Sequence, residues 1–491
     1  LKPFNAVKPG SDTAEAEGIQ LGGGRVLCVD LDGTLLHGDM LYETVFALLK
    51  RNPLLVCLFP FWLLRGKAYF KAAIASRVSL DVALMSYDGR VLDHLRATQA
   101  CRRVLCTASD VRVATAVAEH LGVFDEVLAS DGVTNLGGRA KARALVERFG
   151  EGGFDYFGNH RFDLHVWRHA RRAWVVNGSR SLLDAAARVS EIGGHLPREP
   201  VGALVWAKAL RLHQWLKNLL VFVPLLAAHQ FLDAASALKS TLAFLAFGLC
   251  ASGVYVLNDL LDLQADRQHP RKRNRAFASG RIPILHGMLI APLSTVAGFA
   301  LAWWVAPNFA AVLGVYWLTT VAYSLWLKRV EMLDVMVLAG LYTLRIIGGA
   351  VAISVPLSFW LLAFSMFVFL SLAILKRYTE LAALAADGRD QASGRGYATT
   401  DLPLLQSLGG ASGYIAVLVL ALYINSPDSV ALYARPKFLW LLCPLLLYWV
   451  SRAWSVAHRG KMHDDPVVFA VTDPVSQAVA GLCALAVLGA I

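Results

Sequence analysis

Little in this sequence points to covalent cross-links, processing or repetition. Its seven cysteines (28, 57, 101, 106, 250, 443 and 483) form no CxxC and no metal-ligand spacing. That argues against a disulfide framework or a zinc site and leaves them as small buried hydrophobes. No basic, apolar, small-residue leader opens the chain, and residues 1–20, polar and glycine-containing, read as a loose cytoplasmic tail. No short-period repeat is visible. Acidic residues are in the minority, 36 against 47 lysines and arginines, for a net charge of +11. Basic residues flanking apolar segments are expected on the cytoplasmic side of a polytopic protein, so this excess requires no nucleic acid.

What is present is apolar surface. With 491 residues, 56% of them hydrophobic, and a mean hydropathy of +0.50, the chain is too long for one ordinary domain and too apolar to be wholly soluble. Residues 21–195 read as soluble α/β: strand Arg25 to Val29 runs into Asp30, and strands Val104 to Cys106 and Tyr156 to Gly158 alternate with helical patterns such as Val111 to Leu121. Residues 196–491 read as an all-α membrane bundle. About nine spans are expected near 211–230, 240–258, 284–305, 308–327, 332–352, 357–376, 409–425, 437–456 and 474–491. Arg267, Arg271, Lys272, Arg273, Arg275, Lys328, Arg329, Lys376, Arg377, Arg389, Arg459 and Lys461 all fall in alternate connections. The opposite connections are nearly uncharged, which places the loaded loops and the soluble domain in the cytoplasm of a multi-pass plasma- or inner-membrane protein. An odd span count does not divide into equal inverted halves, which argues against common transporter plans.

The segment YVLNDLLDLQADRQHPRKRNRAFASGR leaves the second span. On a continuous helix, Asn258, Asp259, Asp262 and Asp266 share an arc of about 100°. Carboxylates so grouped repel one another unless a cation joins them, and hard oxygen donors of this kind suit Mg²⁺ with substrate phosphates. Arg267, Lys272 and Arg275 would neutralise those phosphates.

This N-D-x-x-D-x-x-x-D pattern resembles the first aspartate-rich motif of the UbiA prenyltransferase superfamily. The resemblance implies a diphosphate substrate, Asn258, Asp262 and Asp266 as Mg²⁺ ligands, and Asp259 as a further ligand or a partner of one. Where that superfamily has a second motif, this chain offers Tyr323, Ser324, Lys328 and Asp334, one carboxylate where a pair is expected. Arg345, eleven residues on, shares a helix face with Asp334 and forms with it either part of the site or a structural ion pair.

Four stretches resemble the decaprenyl-phosphate phosphoribosyltransferase branch: RLHQWLKNLLVF from Arg211, DRQHPRKRNRAFASG from Asp266, KRYTEL from Lys376 and RAWSVAHRGKMHDDPV from Arg452. They imply transfer of phosphoribosyl from phosphoribosyl pyrophosphate to a polyprenyl phosphate. Two such anions call for cations, and Lys217, Arg275, Lys328, Arg345, Lys376, Arg377, Arg452 and Arg459 are candidates, with Asn218 beside them. Asp464 and Asp465 either bind ribose or cap helices. The rivals are an aromatic prenyltransferase using a prenyl diphosphate and a lipid transporter with a regulatory domain; self-association stays open.

In the soluble region, Asp30-Leu31-Asp32-Gly33-Thr34 follows an apolar strand, and Thr107, Lys141 and Gly158-Asn159 with Asp163 come later in order. The D-x-D-G-T pattern resembles haloacid dehalogenase-like phosphatases, Rossmann-like domains with a cap, here at about 40–95. The resemblance makes Asp30 the nucleophile, Asp32 the acid/base, and Asp30, Asn159 and Asp163 the Mg²⁺ set. Asn159 stands where a carboxylate is expected, so either a phosphatase acting on the transferase's product or an inactive docking domain is implied. Apolar Pro53 to Leu64 is either a buried cap helix or a membrane-surface contact.

Overall fold

The computed structural model describes residues 25–98, 101–386, 388, 396–462 and 465–491. The expected tail 1–20, Arg389 and Asp464 lie outside them. By contact the chain forms two units, one of residues 1–210 with 256–290 and the other of 211–255 with 291–491. The first is therefore not the contiguous block 21–195: it also takes in the aspartate segment.

The first unit is built on six parallel strands, β1 (Val26–Val29), β2 (Arg102–Asp110), β3 (Glu126–Ser130), β4 (Phe154–Gly158), β5 (Arg172–Val176) and β6 (Glu191–Leu196), in the order β3-β2-β1-β4-β5-β6. This is a doubly wound order, in which the succession of strands reverses between β1 and β4. Side chains alternate as strand geometry requires. Leu27 and Val29 join one core with helices Gly89–Ala97 and Val111–Leu121, while Cys28 joins the opposite core with helices Arg139–Phe149 and Arg180–Ala187. Between β1 and β2 lies a helical insertion, Met40–Arg51, Pro53–Leu58, Phe59–Leu64 and Lys67–Ala75, with its own small core of Val45, Leu48, Trp62, Phe70 and Ile74. Within the stretch 40–95, helix Gly89–Ala97 packs on the sheet and not with this insertion.

The second unit is helical. Among the described residues seven helices are long and apolar enough to cross a membrane, Ala234–Leu261, Ile284–Val305, Pro307–Leu325, Leu333–Ala352, Phe359–Ala386, Thr399–Ile424 and Pro436–His458. An eighth span results if Pro466–Thr472 and Pro474–Ala490, bent by 72°, count as one. The expectation of about nine spans fails at 211–230. There the chain forms a 3-10 stretch, Leu212–Phe222, and a single turn, Val223–Ala227. Arg211 precedes it at a left-handed φ of 52°, and the buried Lys217 ammonium and Asn218 Oδ1 bond to protein groups. A Cβ on Gly349 would sit 2.1 Å from the Val221 carbonyl oxygen. Only glycine lets that stretch approach helix Leu333–Ala352 so closely.

Candidate functional site

Four elements of the first unit place polar groups at the C-terminal ends of β1, β2 and β4, where ligands of doubly wound sheets bind. Asp30 follows β1; its Oδ1 accepts from Lys141 Nζ at 2.7 Å. Lys141 also donates to the Tyr156 hydroxyl (2.9 Å), which donates to Asp163 Oδ1 (3.0 Å). Asp32 accepts from the Met40 N–H (2.7 Å), Ser109 Oγ (2.6 Å) and Thr107 Oγ1 (3.5 Å). Burial lifts the Asp30 carboxyl to about 7 against the opposing Lys141 ammonium. Burial and the charge of Asp39 bring Asp32 to about 6. Gly33 turns the chain at φ +75°, and a Cβ there would lie 1.9 Å from Asn159 Nδ2, so the Asn159 amide closes over the turn.

Asp30, Asp32, Thr107 and Lys141 are brought together as the sequence implied, joined by Tyr156 and Ser109, which no motif had singled out. Of the three residues expected to hold Mg²⁺ here, Asp163 accepts through Oδ2 from the Asn159 and His160 N–H groups and through Oδ1 from Tyr156, Asn159 faces Gly33, and the Asp163 charge reaches the Asp30 carboxyl. Among the described residues no three His, Cys, Asp or Glu side chains group as a metal site.

The aspartate segment belongs to the same unit. Helix Ala234–Leu261 ends just before Asp262, whose backbone leaves helical values (φ −100°, ψ 11°), and Leu263–Gln268 continues after it. The buried Asp259 and Asp266 converge on one cation, Arg275 Nη1, at 3.1 and 2.8 Å. Burial raises the Asp266 carboxyl above its ordinary value, with Arg275 pulling the other way. Asp262 turns instead to Lys50 at 2.8 Å. Helical bonds continue through the distortion at Asp262, from Asp262 N–H to the Asn258 carbonyl at 2.9 Å and from Asp266 N–H to the Asp262 carbonyl at 2.8 Å. Two hard carboxylates around one positive charge form a donor set that fits a divalent cation, with Arg275 standing in for it. Asn258 is half-buried on the same helix. Arg267, expected to bind phosphate, is committed elsewhere: its guanidinium is buried on Glu43. Lys272 is exposed on the short turn Lys272–Asn274.

In the second unit the expected Asp334–Arg345 pair does not form. Eleven residues share a face but lie about 16 Å apart along the axis. Asp334 binds Arg377 and the Tyr397 hydroxyl, and Arg377 also holds Glu380 and Tyr323. Arg345 donates to Asn218 Oδ1 (2.8 Å), the Tyr316 hydroxyl (2.8 Å) and the Leu341 carbonyl (2.6 Å). Arg452 binds Asp473 at 2.7 and 3.0 Å, while Arg459 is exposed at its helix end. Lys328 lies half-buried on the turn Leu327–Arg329. Two ammonium groups share Asp465: Lys217 at 2.5 Å and Lys376 at 3.8 Å. Asp465 also caps helix Pro466–Thr472 through the Val467 N–H, so it does more than cap. The buried Asn218 Nδ2 meets no acceptor among the described residues. Tyr316, Glu380 and Tyr397 escaped sequence reasoning; of these only Glu380 lay within a quoted stretch.

A bundle of helices long and apolar enough to cross a membrane, with buried cations among them, defines an integral membrane protein. The UbiA prenyltransferase family profile matches residues 219–472. The chain belongs to that family and is a membrane transferase. It is 37% identical to protein y4nM of Sinorhizobium fredii over 468 residues, 94% of this chain and 90% of that one. It is 33% identical over 290 residues to the decaprenyl-phosphate phosphoribosyltransferase of Mycobacterium tuberculosis, 58% of this chain and 92% of that one. A solved UbiA homolog from Archaeoglobus fulgidus, bound to GPP and Mg²⁺, aligns at 14% identity and a TM-score of 0.42 over 58% of this chain and 97% of its own.

Proposed function

We propose that the chain transfers 5-phosphoribosyl from phosphoribosyl pyrophosphate to a polyprenyl phosphate, releasing diphosphate. The observation that carries this reading is the pair Lys217 and Lys376 on one carboxylate, with the unpartnered Asn218 Nδ2 beside them in sequence. Two ammonium groups against one Asp465 leave positive charge in excess, and a buried amide N–H is left to donate. Transfer of a prenyl group from its diphosphate to an aromatic ring, with one phosphorylated substrate, asks for less positive charge than a reaction with two. Resemblance to the mycobacterial phosphoribosyltransferase over nearly its whole length supports the same choice.

In this reading the ribose C1–O bond breaks with its electron pair leaving on diphosphate, and a phosphate oxygen of the lipid bonds to C1 through an oxocarbenium-like state. The lipid phosphate is already anionic near neutral pH, with a second pKa of about 6, so no protein base need remove a proton. Asp259 and Asp266 would hold Mg²⁺, which supplies charge neutralisation of the leaving diphosphate. Lys217, Lys376 and Asn218 bind and orient phosphate oxygens, so positioning and electrostatics carry the rate. The basic connections favour the cytoplasmic side for this chemistry.

For the first unit we infer a haloacid dehalogenase-like phosphomonoesterase site, with Asp30 as nucleophile and Lys141 and Thr107 holding phosphate. Its substrate would be the 5-phosphate of the lipid product, met at high effective concentration through the tether. The deciding assay offers phosphoribosyl pyrophosphate and polyprenyl phosphate to the detergent-solubilised protein, with and without Mg²⁺, and weighs products by mass spectrometry. Phosphoribosyl lipid appearing only with Mg²⁺ supports the reading. Consumption of a prenyl diphosphate with phosphoribosyl pyrophosphate untouched would establish the aromatic prenyltransferase instead.

A further inference from the structure

We propose that residues 53–64 of the first unit lie in the surface of the bilayer. The 3-10 turn Pro53–Leu58 and helix Phe59–Leu64 are apolar on every side. Leu55, Phe59 and Trp62 face the small core of the insertion. On the other side Leu54, Val56, Leu58, Phe61, Leu63 and Leu64 are between 40% and 86% exposed. A helical stretch that is hydrophobic all round belongs in a core or in lipid, and six large apolar side chains side by side form a contact surface, not ordinary scatter. The stretch thus buries one face in the insertion and leaves the other exposed.

The occupant follows from what adjoins the patch. Helix Met40–Arg51 ends two residues before Pro53, and its Lys50 is 2.8 Å from Asp262. Asp262 directly follows Ala234–Leu261, a helix long and apolar enough to cross a membrane. The patch therefore starts beside the point where a spanning helix leaves the hydrocarbon. Exposed cations bracket it, Arg51 on one side and Arg65 and Lys67 on the other, as in segments that rest among anionic headgroups. Twelve residues are too few to span the core, which takes about 20. The segment lies in the interface and does not cross it.

Cys57, in the middle of the patch, is exposed, whereas the other six cysteines are buried or half-buried. The full chain, labelled at Cys57 with the environment-sensitive dye NBD, is placed one copy per nanodisc of phosphatidylcholine and phosphatidylglycerol, with Cys57→Ser as the labelling control. Emission should shift to the blue, lose about half its intensity to lipid carrying a doxyl group near the headgroup, and resist aqueous iodide. The triple variant Leu54→Ser, Phe61→Ser and Leu64→Ser should lose most of that lipid quenching while its thermal unfolding stays unchanged. Iodide access without lipid quenching would overturn the proposal. Protection from both quenchers would also overturn it and point to a second copy or another protein surface.

Discussion

Glu43 and Arg267, 224 residues apart in the chain, form a two-fold ion pair at 2.6 and 2.9 Å with both side chains buried. One belongs to the helical insertion after β1, the other directly follows Asp266, and Arg267 also donates to the Ala278 carbonyl at 2.9 Å. Removing one partner leaves the other charge buried and uncompensated. Glu43→Ala should therefore cost about 3–5 kcal/mol of stability, read as a lowered unfolding midpoint in detergent, and should reduce transfer. Replacing both residues with leucine should recover much of the midpoint. An unchanged midpoint for Glu43→Ala would show that the pair does not hold the unit together.

The convergence of Asp259 and Asp266 on Arg275 ranks the aspartates. Asp266→Ala and Asp259→Ala should each lower transfer about a hundredfold, the scale for losing one preorganised charge-stabilising group, and raise the Mg²⁺ concentration needed for half-maximal rate. Asp262→Asn should be milder, because Asp262 faces Lys50 and not the shared cation. Equal losses at all three positions in a Mg²⁺ titration would return Asp262 to the metal set.

Lys217 and Lys376 differ in their hold on Asp465, at 2.5 and 3.8 Å. The looser Lys376 is the better placed to exchange its carboxylate for a phosphate. Lys376→Met should raise KM for an anionic substrate about tenfold with kcat less affected, the size of one charge-assisted hydrogen bond. Lys217→Met should in addition lower the thermal midpoint, since it strands a mostly buried Asp465.

Asp30 and Lys141 make the phosphatase reading separable from transfer. With purified phosphoribosyl lipid as substrate, inorganic phosphate release should fall to background in Asp30→Asn while transfer from phosphoribosyl pyrophosphate continues. Absence of phosphate release by the unsubstituted protein would leave the first unit a docking domain.

The sequence showed the strands around Asp30, the apolar spans and the acidic segment because each has a local period of two or near 3.6. It could not show what depends on distant partners. No local pattern joins Glu43 to Arg267 or Lys50 to Asp262, so the buried ion pair of Arg267 was not legible. Asp334 and Arg345 share a face on paper, yet the rise of the helix separates them and gives Asp334 to Arg377. Residues 211–230 are apolar enough to span, but Lys217, Asn218 and the contact at Gly349 go with a 3-10 segment and one short helical turn packed on helix Leu333–Ala352.

The insertion of residues 256–290 into the first unit also governs how this chain can be taken apart. A cut near residue 210 would not release two autonomous modules. One fragment would carry an orphaned Glu43 carboxylate, the other an orphaned Arg267, each exposing surface shaped for the missing piece. Co-expressed, the two fragments should behave as a split protein that regains stability only on reassociation, so the fusion reads as one folding cooperative and not as two genes joined for convenience.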